Sequence, residues 1–212
     1  MGHHLKMNYY LIHGLDRKRA IFMRAQFRHF GIDPKNVFWI NHPNQDENLP
    51  KNICTNKNLT KGQIAITYKH YLALEDIVRN KKQISVVMED NIEFLDNVPK
   101  RLNLYLNQLP TNWDLLFDSD FLEFKYLEAD TNADTLVYLK SNSISEQCHG
   151  ATKGCHFYMI TYMAAKKLLE SFLPFHEVSD HYFNFLIRKY RLNVYWAEPT
   201  NVHKVMRKST WL

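Results

Sequence analysis

Cysteine is scarce in this chain: Cys54, Cys148 and Cys155 are the only three. An odd, low count argues against a disulfide framework and for a reducing compartment. Long apolar runs are missing too. Nothing approaches the roughly 18–20 apolar residues of a membrane span, and the opening "MGHHLKMNYY" lacks the apolar core of a secretory signal. The expected location is therefore cytoplasmic, or peripheral at the cytoplasmic membrane face. Gly2, His3 and His4 read as a cloning remnant, so residues 1–6 are set aside as a remnant or disordered N-terminus and Met7 is taken as the natural start. Familiar catalytic signatures are absent. There is no P-loop, G-x-G-x-x-G, G-x-S-x-G or H-E-x-x-H, which argues against the commoner nucleotide-triphosphate, hydrolase and zincin chemistries. A concentrated basic stripe interleaved with aromatics is also lacking, so nucleic acid is not the expected partner.

What is present is an ordinary globular composition, with 45% apolar and 23% charged residues over 212 positions. That length supports a sizeable core. Aromatics reach 14%, which suits a bulky core or a site that stacks on rings. The net charge of +5 favours anionic partners without choosing among them.

Strand-like and helix-like runs alternate, the pattern of an α/β fold. "NYYLIHG" (8–14) reads as a first strand. A basic helix follows, capped by Asp16 and ended by Gly31, with Ile21, Phe22 and Ala25 expected to face inward. "NVFWIN" (36–41) is a second strand, and 42–58 a loop. Thr60 and Gln63 form a T-x-x-Q capping box. It opens a helix expected to present Ile64, Tyr68, Tyr71, Leu72 and Val78 on one face. Strands are expected at 83–88, 113–117, 156–160 and 192–199, with a hairpin around 134–140 and helices opening at Thr161 and Ser179. A basic tail ends the chain.

Two apolar strands run into acids. "SVVMEDN" (85–91) ends in Glu89, Asp90 and Asn91, and "LLFDSD" (115–120) ends in Asp118 and Asp120. In open α/β sheets ligands sit beyond the carboxyl ends of the strands. Acids there can hold a divalent cation through oxygen ligands, though a solvated turn explains either one alone. "CHGATKGCH" (148–156) offers two Cys-His pairs, but not the usual zinc spacing. Asp180 falls in the first turn of a helix. It either complements the helix dipole or acts as a general base, with Glu177 or His181 beside it. Arg17, Lys18, Arg19 and Arg24 form either a solvated face or a phosphate site near a strand-to-helix turn.

Taken in order, "IHGLDRKR" (12–19), "LTKGQIAITYKH" (59–70), "VVMEDNIEF" (86–94), "NWDLLF" (112–117), "GCHFYMITYMAAKKLL" (154–169) and "VSDHYF" (178–183) resemble one family. It is glycosyltransferase family 25, of the lipopolysaccharide-biosynthesis and procollagen-galactosyltransferase type. The resemblance implies a GT-A-like nucleotide-sugar-binding domain over 7–212, with a mixed central sheet flanked by helices. It implies inverting transfer of a hexose, galactose or glucose, from a UDP-sugar to a hydroxyl of a glycan or protein, usually with Mn²⁺. By that likeness Asp16, Arg17, Arg19, Gly62, His70, Glu89 and Asp90 bind the nucleotide sugar. Asp90 and Asn91 hold the metal, joined by His203 as the late ligand that many GT-A enzymes supply, where this family more often has glutamine, and Asp180 is the catalytic base. Asp118 and Asp120 stand where the family usually has apolar or glycine residues, and are expected to contact the acceptor or take over metal duty. Four departures stand out: Asn91 for the third acid of E-D-D, Gln63 for Glu, Lys69 for Ser and Gly14 for Asn. An amide oxygen ligates without charge, so Asn91 would hold an ion more weakly. Alternatives are a catalytically impaired sugar-nucleotide-binding or interaction protein, and a nucleic-acid-binding α/β domain.

Overall fold

The structure is a computed structural model; it describes residues 7–118, 135–139 and 154–205. The expectations for residues 1–6, for Asp120 and for the Cys148-His149 pair fall outside these. In chain order the elements are β1 (Asn8–Ile12), α1 (Arg17–His29), β2 (Val37–Ile40), α2 (Lys61–Arg79), β3 (Ile84–Glu89), β4 (Ile92–Phe94), α3 (Val98–Gln108), β5 (Leu115–Phe117), β6 (Val137–Leu139), β7 (Phe157–Thr161), α4 (Tyr162–Leu169), α5 (Ser179–Tyr190), β8 (Val194–Ala197) and β9 (Val202–Lys204).

Among the described residues seven strands form one mixed sheet in the order β2-β1-β3-β7-β5-β8-β6, and β4 pairs with β9 in a second, small sheet. The β1–β2, β1–β3 and β5–β8 pairs are parallel, while β7 runs antiparallel to both of its neighbours. The carboxyl ends of β1 and β3 therefore sit side by side and meet the amino end of β7. Two apolar layers cover the sheet. Val87, Tyr158 and Ile160 face a layer built from α2, α4 and α5. Val86, Met88, Phe157 and Met159 face the opposite layer, built from α1 and α3. The α/β expectation, a mixed central sheet flanked by helices, is met. No helix among the described residues is long and apolar enough to cross a membrane.

The start signals work as local chemistry predicts. Asp16 Oδ1 accepts from the Lys18 and Arg19 amides, Thr161 caps α4, and Gly31 takes φ +73° just beyond α1. The Thr60 hydroxyl accepts from Gln63 N at 3.2 Å, and Gln63 Oε1 accepts from Thr60 N at 2.9 Å.

Helix faces differ from the sequence reading. Ile21 and Phe22 are 59% and 40% exposed, and Ala25 is exposed too. The inner face of α1 is instead Met23, Gln26 and Phe27. Buried Gln26 explains the rotation: its Nε2 donates to Ile92 O at 3.0 Å and its Oε1 accepts from Phe94 N at 2.7 Å. An apolar neighbour at that position would leave both β4 groups unpaired. In α2 the buried row is Ala65, Thr67, Lys69, His70, Ala73, Leu74 and Ile77. Ile64, Tyr68, Tyr71 and Val78 pack only at its flank. Around 134–140 the described strand β6 pairs with β8. The expected basic tail begins with a strand, β9, whose partner is β4.

Candidate active site

The two acids of "MEDN" part company. Strand alternation sends successive side chains to opposite faces. Glu89 turns to the α2 side, and Asp90 to the α1 side.

Asp90 is wrapped by the β1–α1 turn. Its Oδ2 accepts from His13 Nδ1 at 2.7 Å and from Gly14 N at 3.0 Å, and its Oδ1 accepts from the Arg19 guanidinium at 2.8 Å. Arg19 is placed there by the helix that Asp16 caps. Gly14 needs no special conformation, since a Cβ there would meet Asp90 at an ordinary 3.9 Å. Across the strand end, buried Lys69 of α2 donates to His13 O at 2.6 Å and to Asn44 Oδ1 at 2.7 Å. Burial lowers its ammonium to about 8, with the charges of Asp90 and Glu47 partly opposing.

Glu89 sits among two histidines and a thiol. His156 Nδ1 donates to its Oε2 at 2.9 Å, and His70 Nε2 lies 3.5 Å from its Oε1. Burial alone would raise this carboxyl. The hydrogen bonds and charges of His156 and His70 reverse that and hold it well below the usual range. Cys155 Sγ lies 3.5 Å from the same His70 Nε2, and the other His70 nitrogen meets the Tyr158 hydroxyl at 3.1 Å. Burial, followed by the charge of Glu89, pushes the Cys155 thiol up; Asp180 adds to this and the Ser179 hydroxyl opposes it. The first turn of α5 is thus an electrostatic neighbour of the Glu89 group. Asp180 itself is half-buried, and its Oδ1 accepts from His181 N at 2.9 Å.

The remaining expected residues are more scattered. Arg17 is exposed, and Asp16 spends Oδ1 on its cap. Gly62 lies in the first turn of α2, where a Cβ would crowd Gln45 Oε1 at 3.2 Å. Asn91 follows β3 with its Oδ1 buried and unpaired, and its carbonyl accepts from Val205 N. His203 lies opposite Glu93 in the β4–β9 pair, on the face that alternation shares with Asn91. Asp118 is fully buried beyond β5, its Oδ1 accepting from Asn201 N at 2.7 Å. It does not join the Glu89 or Asp90 groups. Sequence reading missed His13, Lys69, Cys155 and His156 as neighbours of the acids. Period-two alternation in "VVMED" was the available signal that Glu89 and Asp90 face apart.

Manganese on Asp90 and Asn91 does not fit this arrangement. Mn²⁺ favours charged oxygen ligands. Both Asp90 oxygens are committed to protein donors, one of them a guanidinium, and Asn91 contributes an oxygen without charge.

Comparison with known proteins decides the family. The model of "Glycosyltransferase family 25 (LPS biosynthesis protein)" matches residues 11–183. The chain belongs to glycosyltransferase family 25. One relative is a rat (Rattus norvegicus) protein described as "Probable inactive glycosyltransferase 25 family member 3", 34% identical over 64 residues. That match spans 29% of this chain but only 11% of the rat protein. Among solved structures, A197 from STIV aligns with a TM-score of 0.49 at 9% identity, covering 92% of this chain and 83% of that one. Mouse xyloside xylosyltransferase 1 aligns with a TM-score of 0.43 at 8% identity, covering 89% and 84%. Neither score is high enough to establish a shared fold. Family membership therefore rests on the family model.

Proposed function

We propose that this family 25 member moves a hexose, galactose or glucose, from a UDP-sugar to a hydroxyl of a glycan or protein, with inversion. The observation that carries the reading is the convergence of Arg19, His13 and Lys69 around Asp90 at the carboxyl ends of β1 and β3. A leaving nucleoside diphosphate gathers negative charge at the transition state, and preorganised cationic donors stabilise it there. Arg19, whose side chain is 32% exposed, meets the diphosphate from the rim. Lys69 adds charge from beneath, and Arg17 extends the positive edge. Asp90 holds these donors in place and keeps the β1–α1 turn closed. Gly62 leaves room for the loop at Gln45. Asp180, at the amino end of α5, takes the proton from the acceptor hydroxyl. No step in this scheme runs through manganese.

The reading is supported by family membership and by an anion-favouring end of the sheet. Titration of UDP, UDP-galactose and UDP-glucose, with and without Mn²⁺, tests it. Binding that falls at least tenfold in Arg19→Ala is expected. Absence of binding by all three would overturn the proposal. Donor turnover that persists in Asp180→Asn would remove that residue from the base role. A catalytically impaired, sugar-nucleotide-binding protein is favoured by one specific observation, the uncharged Asn91 where family members carry an acid. Binding without turnover across a panel of acceptors would select it.

A further inference from the structure

On the opposite face from Asp90, His70, Glu89 and Cys155 bring an imidazole nitrogen, a carboxylate oxygen and a thiol sulfur within 4.8 Å of one another. All three residues are buried. Their internal distances are informative. His70 Nε2 stands 3.5 Å from Cys155 Sγ and 3.5 Å from Glu89 Oε1. Such N···O separations exceed the 2.7–3.2 Å of good hydrogen bonds. Both distances from His70 Nε2 match what a tetrahedral zinc imposes. Ligands at about 2.0–2.3 Å from the ion lie about 3.3–3.6 Å apart. The third pair, Glu89 and Cys155, lies within 4.8 Å.

The supporting contacts are those of a metal site. The second nitrogen of His70 meets Tyr158 Oη at 3.1 Å, which fixes the ring. The second oxygen of Glu89 accepts from His156 Nδ1 at 2.9 Å, which fixes the carboxylate. Each donor comes from a different segment: His70 from mid-α2, Glu89 from the end of β3 and Cys155 from two residues before β7. Glu89 N donates to His156 O across the β3–β7 seam and sets that register.

We infer that His70, Glu89 and Cys155 form a zinc-type divalent metal site, separate from the Asp90–Asn91 position where the family resemblance puts manganese. The mixed nitrogen, oxygen and sulfur set selects zinc or cobalt over manganese or magnesium. Binding breaks the Cys155 S–H bond. The thiolate pair goes to the metal and one proton leaves to solvent. Three protein ligands leave a fourth position open. The site does not depend on the transferase reading, because it is defined by residues on the α2 side of the sheet and can be loaded without donor.

The test uses the full chain, stripped with a chelator and titrated with Zn²⁺, Co²⁺ and Mn²⁺. One equivalent of zinc is expected, with Mn²⁺ at least 100-fold weaker. Cobalt should give a thiolate-to-metal charge-transfer band. The doubly substituted chain Cys54→Ser, Cys148→Ser should keep that band, which then belongs to Cys155. His70→Asn and Cys155→Ser should each weaken zinc at least tenfold, and Asp90→Asn should not. If Cys155→Ser does not fold, the double variant still decides. Loss of the band in the double variant, absence of stoichiometric zinc, or equal binding of Mn²⁺ would overturn the inference. Because UDP-sugar binding is measured separately, failure here and failure of the transferase reading are distinguishable.

Discussion

Replacing Asp118 by asparagine isolates the cost of a buried carboxyl. Asp118 is fully buried, and burial pushes its carboxyl up to about 7; the Asn201 amide opposes this in part. In the unfolded chain the same group titrates near about 3.9. Between these values the folded protein holds a proton that the unfolded chain has released. Stability therefore falls as pH rises through the window from about pH 4 to about pH 7. The interval corresponds to about 4 kcal/mol, fully expressed above about pH 8. Asparagine keeps the oxygen that accepts from Asn201 N at 2.7 Å and does not titrate. Urea unfolding of both proteins across this range gives the comparison, and the other titrating groups cancel in the difference. Asp118→Asn should gain on the wild type by about 4 kcal/mol between pH 4 and pH 8, then level off. A difference that stays flat with pH would show that Asp118 ionises freely in the folded chain and refute the reasoning.

Gln26→Leu should cost about 2–4 kcal/mol in chemical denaturation, because Ile92 O and Phe94 N both lose their buried partner. Thr60→Ala should cost about 1 kcal/mol by the same measurement, from loss of the α2 capping box. Lys69, with its ammonium lowered to about 8, carries a pH signature. Above about pH 8 the folded chain gives up a proton that the unfolded chain keeps until about 10.4, so stability gains with pH there while UDP affinity falls. Isothermal titration of UDP against pH should show that alkaline limb in the wild type and not in Lys69→Met.

Local signals in the sequence were strong where chemistry is local. The Thr60–Gln63 box, the Asp16 cap and the Thr161 cap stand where short-range hydrogen bonding puts them. Strands β3 and β7 were legible from their apolar runs. The α1 face was not, since Gln26 reads as surface until β4 is known, and three-residue strands such as β4 and β9 carry no usable pattern. Lys69 likewise looks like a solvated cation on an amphipathic helix. Its burial depends on His13 O and Asn44, which lie 56 and 25 positions away. The partition of Glu89 from Asp90 follows from alternation alone. What the Glu89 face would meet required the α2 and β7 placements.

The β3–β7 seam also decides which kinds of change this chain tolerates. Substitutions on the outer face of α1, where Ile21 and Phe22 already stand in solvent, leave the sheet undisturbed. Insertions and deletions in the seam behave differently. Ser85 faces Ile160 and Met88 faces Phe157 in one fixed antiparallel register. Removing a single residue from β3 would reverse the faces to which the side chains beyond the deletion point. Glu89 would then turn toward Arg19, and Asp90 toward His70. Both sites would be lost together, although no functional side chain had been altered. Length variation in this chain is therefore expected to collect in its loops and to spare β3 and β7.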